Sequence, residues 1–155
     1  MKLTHHISVS LIVSAALYTS FRSVSMAVTA LFVGIFIDLD HILDYLREHD
    51  CPFNVKKFFR VCYEHKFEKM ILVWHAWEWI VLMGFSAWLT DWHPVMTGIF
   101  IGMTHHLLMD AFHIDPVIRG YSIIWRWRND FDFLKSFGPR VEKFDAKFLN
   151  SQTTR

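Results

Sequence analysis

The segment that decides the fold is HPVMTGIFIGMTHHLLMDAFHI, residues 93–114. Most of its side chains are apolar, and about 20 helical residues at ~1.5 Å each suffice to cross ~30 Å of hydrocarbon. The same stretch carries His106 and Asp110 four residues apart, a spacing that places both on one face of a helix. It therefore predicts a membrane-spanning helix with polar side chains near its carboxyl end.

Three further apolar segments precede this one. We expect an all-α fold, a four-helix transmembrane bundle, with helices at about residues 5–21, 23–42, 71–90 and 93–114. The first segment also resembles a signal peptide, but a second apolar run follows at once without a clear cleavage site, which favours a retained helix. Small residues four apart, such as Gly98 and Gly102, are typical of closely packed membrane helices. The whole chain, residues 1–155, is predicted to form one membrane domain.

The distribution of basic residues predicts the topology. Four passes place both termini and the long central loop on one side, and that side collects all of the 16 Lys and Arg residues except Arg22. The positive-inside rule makes this side the cytoplasm, so we expect a multi-pass protein of the bacterial cytoplasmic (inner) membrane with cytoplasmic termini.

Composition indicates which partners to expect. Residues 52–70 and 121–149 interleave basic and apolar residues, so they are predicted to be interfacial amphipathic helices in contact with membrane lipid. The alternative is that they pack on each other as a soluble cap. A net charge of +1 argues against a nucleic-acid partner, and Cys51 and Cys62 give neither a zinc ribbon nor a disulfide framework. The oligomeric state is left open.

Histidine and acidic side chains interrupt or border the apolar segments. An Asp at the centre of a membrane helix costs about 2.5–3.5 kcal/mol, so several such groups need partners. The segments contain too few Lys or Arg residues to neutralise them, whereas a metal ion would. Because the helices alternate in direction, these groups are expected at one cytoplasmic level; they are His5, His6, Asp38, Asp40, His41, His75, Glu78, His105, His106, Asp110 and His113.

Paired carboxylate and imidazole groups that project from several helices are typical of metal sites in helical bundles. Mixed His and Asp ligation favours a divalent metal ion, zinc first, with manganese or iron as alternatives. Acidic groups at the end of the second helix would also oppose the helix dipole, which favours a bound cation there. Spacing leaves open the choices between His5 and His6 and between His105 and His106. The predicted ligands are His6, Asp38, His41, His75, His106 and Asp110.

Three motifs resemble the YdjM-like membrane-bound metal-dependent hydrolases of bacterial inner membranes. They are Thr4-His5-His6, the stretch GIFIDLDH at residues 34–41, and His106-Leu107-Leu108-Met109-Asp110. The resemblance covers about residues 1–115 and implies a membrane-embedded hydrolase with a metal centre. The family tends to carry a further histidine motif before the third helix, which His75 or His65 would supply.

The expected function is a metal-dependent hydrolase at the cytoplasmic membrane surface that acts on a lipid-like phosphoester. The metal would activate water and polarise the scissile group, with Asp40 or Glu78 as the general base. The alternative from another class is a non-enzymatic membrane protein, a metal carrier or assembly subunit with a structural metal site. A membrane di-haem protein is a further alternative, but it would leave the carboxylates unexplained. A soluble four-helix bundle is another, and high salt without detergent would release it from the membrane fraction.

Overall fold

The computed structural model describes residues 3–48, 53–64, 67–113 and 118–138, and most of these are helical. Within those ranges no strand forms, and a single antiparallel bridge joins Lys69 and Asp132. The prediction of an all-α fold is confirmed. Short 3₁₀ turns cover Ile37–Leu39 and Ile118–Tyr121. The α-helices are α1 Leu3–Phe21, α2 Val24–Phe36, α3 Asp40–Glu48, α4 Val55–Tyr63, α5 Trp77–Leu89, α6 Pro94–His113, α7 Ile123–Arg128 and α8 Phe133–Phe137.

The chain divides into two compact units. The first comprises Met1–Asp38 and Trp74–Pro116, and contains α1, α2, α5 and α6. The second comprises Leu39–Val73 and Val117–Arg155, and contains the four shorter helices. The first unit carries most of the predicted ligands.

Helix α6 is the centre of the first unit, because α1, α2 and α5 all pack against it. The contact with α2 depends on glycine. A Cβ atom added to Gly98 would lie 2.6 Å from the carbonyl oxygen of Met26, and one added to Gly102 would lie 2.9 Å from that of Ala30. No larger residue fits at these positions without separation of the two backbones. The small residues therefore pack the helices closely, as their spacing predicts.

Apolar side chains lie both inside and outside the first unit. Two internal clusters form around α2 and α6; they contain Leu17, Met26 and Ala30, and Ile37, Met103 and Leu107. On the outside, Val81 and Phe112 are 73% and 79% exposed. Such faces are unusual for a protein surrounded by water.

Two helical stretches, Val24–Glu48 and Pro94–Phe112, are long and apolar enough to cross a membrane by length and composition. Helix α5 has only 13 residues, which is about 20 Å of helix and less than a ~30 Å hydrocarbon core. Two candidate spans are therefore shown, and four spans remain a proposal.

Two predicted helices differ from those observed. The third was expected to begin at residue 71, but α5 begins at Trp77, because Leu72 has φ of 47° and Ala76 is extended. His75 therefore lies before the helix that carries Glu78. The second helix, expected over residues 23–42, ends at Phe36 and is followed by the 3₁₀ turn that contains Asp38.

In the second unit, buried charges hold the backbone before Trp74 in place. The carboxylate of Asp44 accepts hydrogen bonds from the backbone N–H groups of Ile71 and Leu72, at 3.1 and 3.0 Å. The buried Arg126 guanidinium donates to the carbonyl oxygens of Gly120 and Leu72 at 2.7 and 2.8 Å. The N–H groups of Ile71 and Leu72 and the carbonyl of Leu72 therefore have charged partners, which compensate for the absence of regular structure there.

The predicted interfacial segments are only partly described. Helix α4 lies within residues 52–70 and exposes Val55 and Phe59, and α7 and α8 lie within residues 121–149. The rest of the second segment, residues 139–149, lies outside the described residues. Membrane contact by these segments stays a prediction.

Candidate metal centre

Four parts of the first unit bring histidine and aspartate side chains together. The contributing residues are His6 on α1, Asp38 in the 3₁₀ turn after α2, His75 in the bend before α5, and His106 and Asp110 on α6. We call these five residues the His/Asp cluster. All are buried except Asp38, whose side chain is 29% exposed. The cluster is therefore shielded from solvent on every side but that of Asp38.

Four ligand atoms of the cluster lie close to one another. The Nε2 atoms of His75 and His106 are 3.1 Å apart, and each lies 3.3 Å from Oδ1 of Asp38. Oδ2 of Asp110 lies 3.3 Å from Nε2 of His106 and 3.7 Å from that of His75. These are five of the six distances among the four atoms, and they range from 3.1 to 3.7 Å.

His6 adds a fifth ligand atom at the edge of this group. Its Nε2 lies 3.1 Å from the other carboxylate oxygen of Asp110, and its ring stacks on that of His106 with 4.2 Å between centroids. Ligand atoms of His6, Asp38, His106 and Asp110 all lie within 4.8 Å of one another, so this group could hold a metal ion.

A backbone contact fixes the protonation of His106. Its Nδ1 lies 2.8 Å from the carbonyl oxygen of Gly34, which can only accept, so Nδ1 carries the proton. In the neutral ring, Nε2 then presents a lone pair to a second imidazole nitrogen and two carboxylates. These contacts repel one another unless a proton or a metal ion lies among them. Histidine ligands of metals commonly show this arrangement, with the distal N–H on a backbone carbonyl.

The distances also fit a metal ion. Zinc binds His nitrogen and carboxylate oxygen at about 2.0–2.2 Å, so the ligands of a tetrahedral ion lie about 3.3–3.6 Å apart. The measured separations of 3.1–3.7 Å bracket this value. In addition, Nδ1 of His6 is buried without a hydrogen-bond partner. Such a buried atom is costly, and a strong contact made by the other nitrogen of the same ring offsets that cost. The donor set therefore fits a divalent ion.

The structure resolves the two pairs of adjacent histidines. His6 and His106 point into the cluster, whereas His5 is exposed. His105 instead accepts a hydrogen bond from the Ser10 hydroxyl at Nε2, at 2.9 Å. Its Nδ1 donates a hydrogen bond to the carbonyl oxygen of Ile101 at 3.0 Å. Sequence reasoning missed this interhelical pair. Gly34 accommodates it, because its missing side chain leaves room for the ring of His105.

The other predicted site residues are placed as follows. Asp40 and His41 belong to the second unit, where His41 Nδ1 lies 3.1 Å from Asp40 Oδ1. Asp40 begins α3, so the argument from an adverse helix dipole is wrong for it: a carboxylate at a helix amino end is favourable. Glu78 is half-buried in the first turn of α5. Their roles as ligand or base stay predictions.

His65 and the side chain of His113 lie outside the described residues. Neither position is therefore tested as a ligand. Of the two candidates for the third histidine motif, His65 and His75, the structure describes only His75, and it places His75 within the cluster.

No family model, curated protein or solved structure matches this chain. The resemblance to YdjM-like hydrolases therefore stays a prediction carried by its motifs. What the first unit does must be argued from its own chemistry.

Proposed function

We propose that this chain is a membrane-embedded metal-dependent hydrolase that acts at the cytoplasmic membrane surface on a lipid-like phosphoester. The observation that carries the proposal is the clustering of three imidazoles and two carboxylates, four of them buried, within one apolar helical unit. Burial of such groups is costly without a cation. Membrane proteins retain groups of this kind mainly where they serve a function.

In this proposal His75, His106, Asp38 and Asp110 hold the ion, with zinc favoured over manganese or iron. His6 binds the second oxygen of Asp110 and fixes the direction in which that carboxylate points. When bound, the ion supplies Lewis acidity towards water and a phosphoryl oxygen.

Access to the ion follows from the exposure of its ligands. Substrate and water would approach past Asp38, because the other four residues are sealed from solvent. Glu78 or Asp40 would take up the proton released by the attacking water. Both assignments are proposals that the test below separates from metal binding.

A second candidate is a non-enzymatic membrane protein with a structural metal site. It is favoured by the number of ligand atoms, since four protein ligands close a tetrahedral ion whereas catalytic zinc keeps one position for water. For hydrolysis, either one of the four ligands must give up its position to water or the ion must accept a fifth ligand. Asp38 is the most exposed of the four and is therefore the best placed to give up its position. The two candidates therefore differ in whether the bound ion is accessible to substrate.

Hydrolysis of bis-p-nitrophenyl phosphate by the detergent-purified, zinc-loaded protein tests the proposal. We expect turnover that falls by about 100-fold or more in Glu78→Gln, because general-base catalysis contributes about 10²–10⁴. Elemental analysis of the same samples should show unchanged zinc in Glu78→Gln. The matched variant Asp40→Asn identifies which carboxylate is the base. Full zinc content without turnover on this probe or on phospholipid vesicles would favour the structural candidate.

Membrane embedding is tested by fractionation. We propose a multi-pass inner-membrane protein with both termini in the cytoplasm, supported by the two candidate spans, the exposed apolar faces and the basic loops. The chain should stay with the membrane in alkaline carbonate and high salt and leave it only in detergent. Reporter fusions at the C-terminus should report the cytoplasm. Release by salt alone would show that the apolar faces contact another protein.

A further inference from the structure

An apolar groove of about 410 Å³ lies in the first unit beside the His/Asp cluster. Residues of α2, α5 and α6 line it, together with Ile37 in the 3₁₀ turn and Trp74 before α5. Its volume falls within the range of about 300–1,000 Å³ that is usual for small-molecule sites. The lining side chains are apolar or aromatic; they are Phe32, Val33, Phe36, Ile37, Trp74, Trp79, Met83, Ile99 and Met103.

The groove is continuous with the cluster along the chain. Ile37 precedes Asp38 and Trp74 precedes His75 directly, and Met103 lies one helical turn before His106 on α6. Lining residues four apart on each helix, such as Ile99 and Met103, extend it by about 6 Å along the helix axis. The groove therefore leads from the candidate ion towards the middle of the two candidate membrane spans.

Exposure shows which part of the groove is open. Phe32, Phe36 and Trp74 are about half exposed and form its rim, whereas Ile37 and Met103 are buried at 7% and 5% and form its deepest part. Trp74 and Trp79 lie with their ring centroids 5.3 Å apart and make one wall. An open-sided apolar groove of this kind fits a hydrocarbon chain, because each buried methylene contributes about 0.8 kcal/mol.

We propose that this groove binds one acyl chain of a membrane phospholipid and so places its phosphoester at the His/Asp cluster. The inference rests on the proposed function for the choice of a phosphoester lipid. The acyl chain would enter the groove sideways from the bilayer, past Phe32 and Phe36. Specificity would then depend on the hydrocarbon chain as well as on the headgroup.

Photo-crosslinking of the reconstituted protein tests the proposal. The probe is a phosphatidylglycerol with a diazirine in one acyl chain, present at a low level in phosphatidylethanolamine–phosphatidylglycerol vesicles. Peptide mapping should find label on Ile99 and Met103. Met103 is the diagnostic position, because at 5% exposure it is inaccessible to lipids that merely surround the protein. Label confined to outer positions such as Val81 and Phe112 would overturn the proposal.

A matched pair of variants on α5 gives the control. Met83→Trp fills the groove, whereas Val81→Trp enlarges a side chain that is 73% exposed on the same helix. Exclusion of two methylenes corresponds to about a tenfold loss of affinity, so Met83→Trp should lower Met103 labelling about tenfold. Val81→Trp should leave it unchanged, and equal labelling in both variants would contradict the proposal.

Zinc content is measured on the same samples, which separates the two hypotheses. Normal zinc in Met83→Trp shows that the variant folds and that the loss of labelling is local. Groove labelling in a protein that binds no zinc would sink the proposed function and leave the lipid groove standing. Zinc binding and turnover without groove labelling would sink the groove alone.

Discussion

Replacement of His106 by Ala should abolish metal binding, whereas replacement of its neighbour His105 should not. Nε2 of His106 lies 3.1–3.3 Å from three other ligand atoms, and its ring is fully buried. Its removal leaves the buried carboxylate of Asp110 and the partly exposed one of Asp38 with fewer partners and no ion to balance them. Loss of a residue that only hydrogen-bonds to a metal ligand already lowers metal affinity by about 10–100-fold, so loss of a ligand itself should lower it by more than about 100-fold.

The measurement is zinc content by elemental analysis after gel filtration, together with competition against a chelator of known affinity. His105→Ala is the matched control, because it removes an adjacent imidazole that binds Ser10 instead of the cluster. An interhelical hydrogen bond in a membrane protein contributes only about 0.6 kcal/mol on average, so His105→Ala should fold and retain zinc. The pair His6→Ala and His5→Ala repeats the comparison on α1. Equal zinc content in His105→Ala and His106→Ala would remove the site.

Replacement of Gly98 by Ala should destabilise the protein strongly. The added Cβ would lie 2.6 Å from the carbonyl oxygen of Met26, which is backbone and has no rotamer by which to move away. Helices α2 and α6 must separate instead, and overpacking of this kind costs about 1–3 kcal/mol. Because α2 leads to Asp38 and α6 carries His106 and Asp110, zinc affinity should fall as well.

Gly84→Ala is the matched control on α5. A Cβ there would lie 3.1 Å from the ring of Phe100, and a side chain can shift by the few tenths of an ångström that are needed. Both substitutions gain about 0.5–1 kcal/mol of helix propensity, so the difference between them isolates the contact. Thermal unfolding in detergent, followed by circular dichroism, should show a much lower midpoint for Gly98→Ala. Similar midpoints would show that α2 and α6 do not pack as described.

The position of the third histidine shows where pattern reading stops. Residues 71–76 continue an apolar run, and hydropathy alone cannot distinguish them from the start of a helix. The structure places a left-handed residue at Leu72 and an extended one at Ala76, and in the second unit Asp44 and Arg126 bind the peptide groups of Leu72. Those partners lie 28 and 54 residues away in the sequence. No local signal could have revealed them.

The sequence by itself determined that the chain is helical, that Gly98 and Gly102 mark a close helix contact, and that histidine and aspartate groups interrupt its apolar helices. These properties follow from periodicity, residue size and the cost of burying charge, all of which can be read locally. Only the tertiary structure decided that His106 and His6, not His105 and His5, face the cluster, since adjacent helical residues point about 100° apart and only the packing partner fixes which turns inward. It also decided that a backbone carbonyl sets the tautomer of His106, and that an apolar groove leads to the same point, because both depend on residues that are distant in the chain.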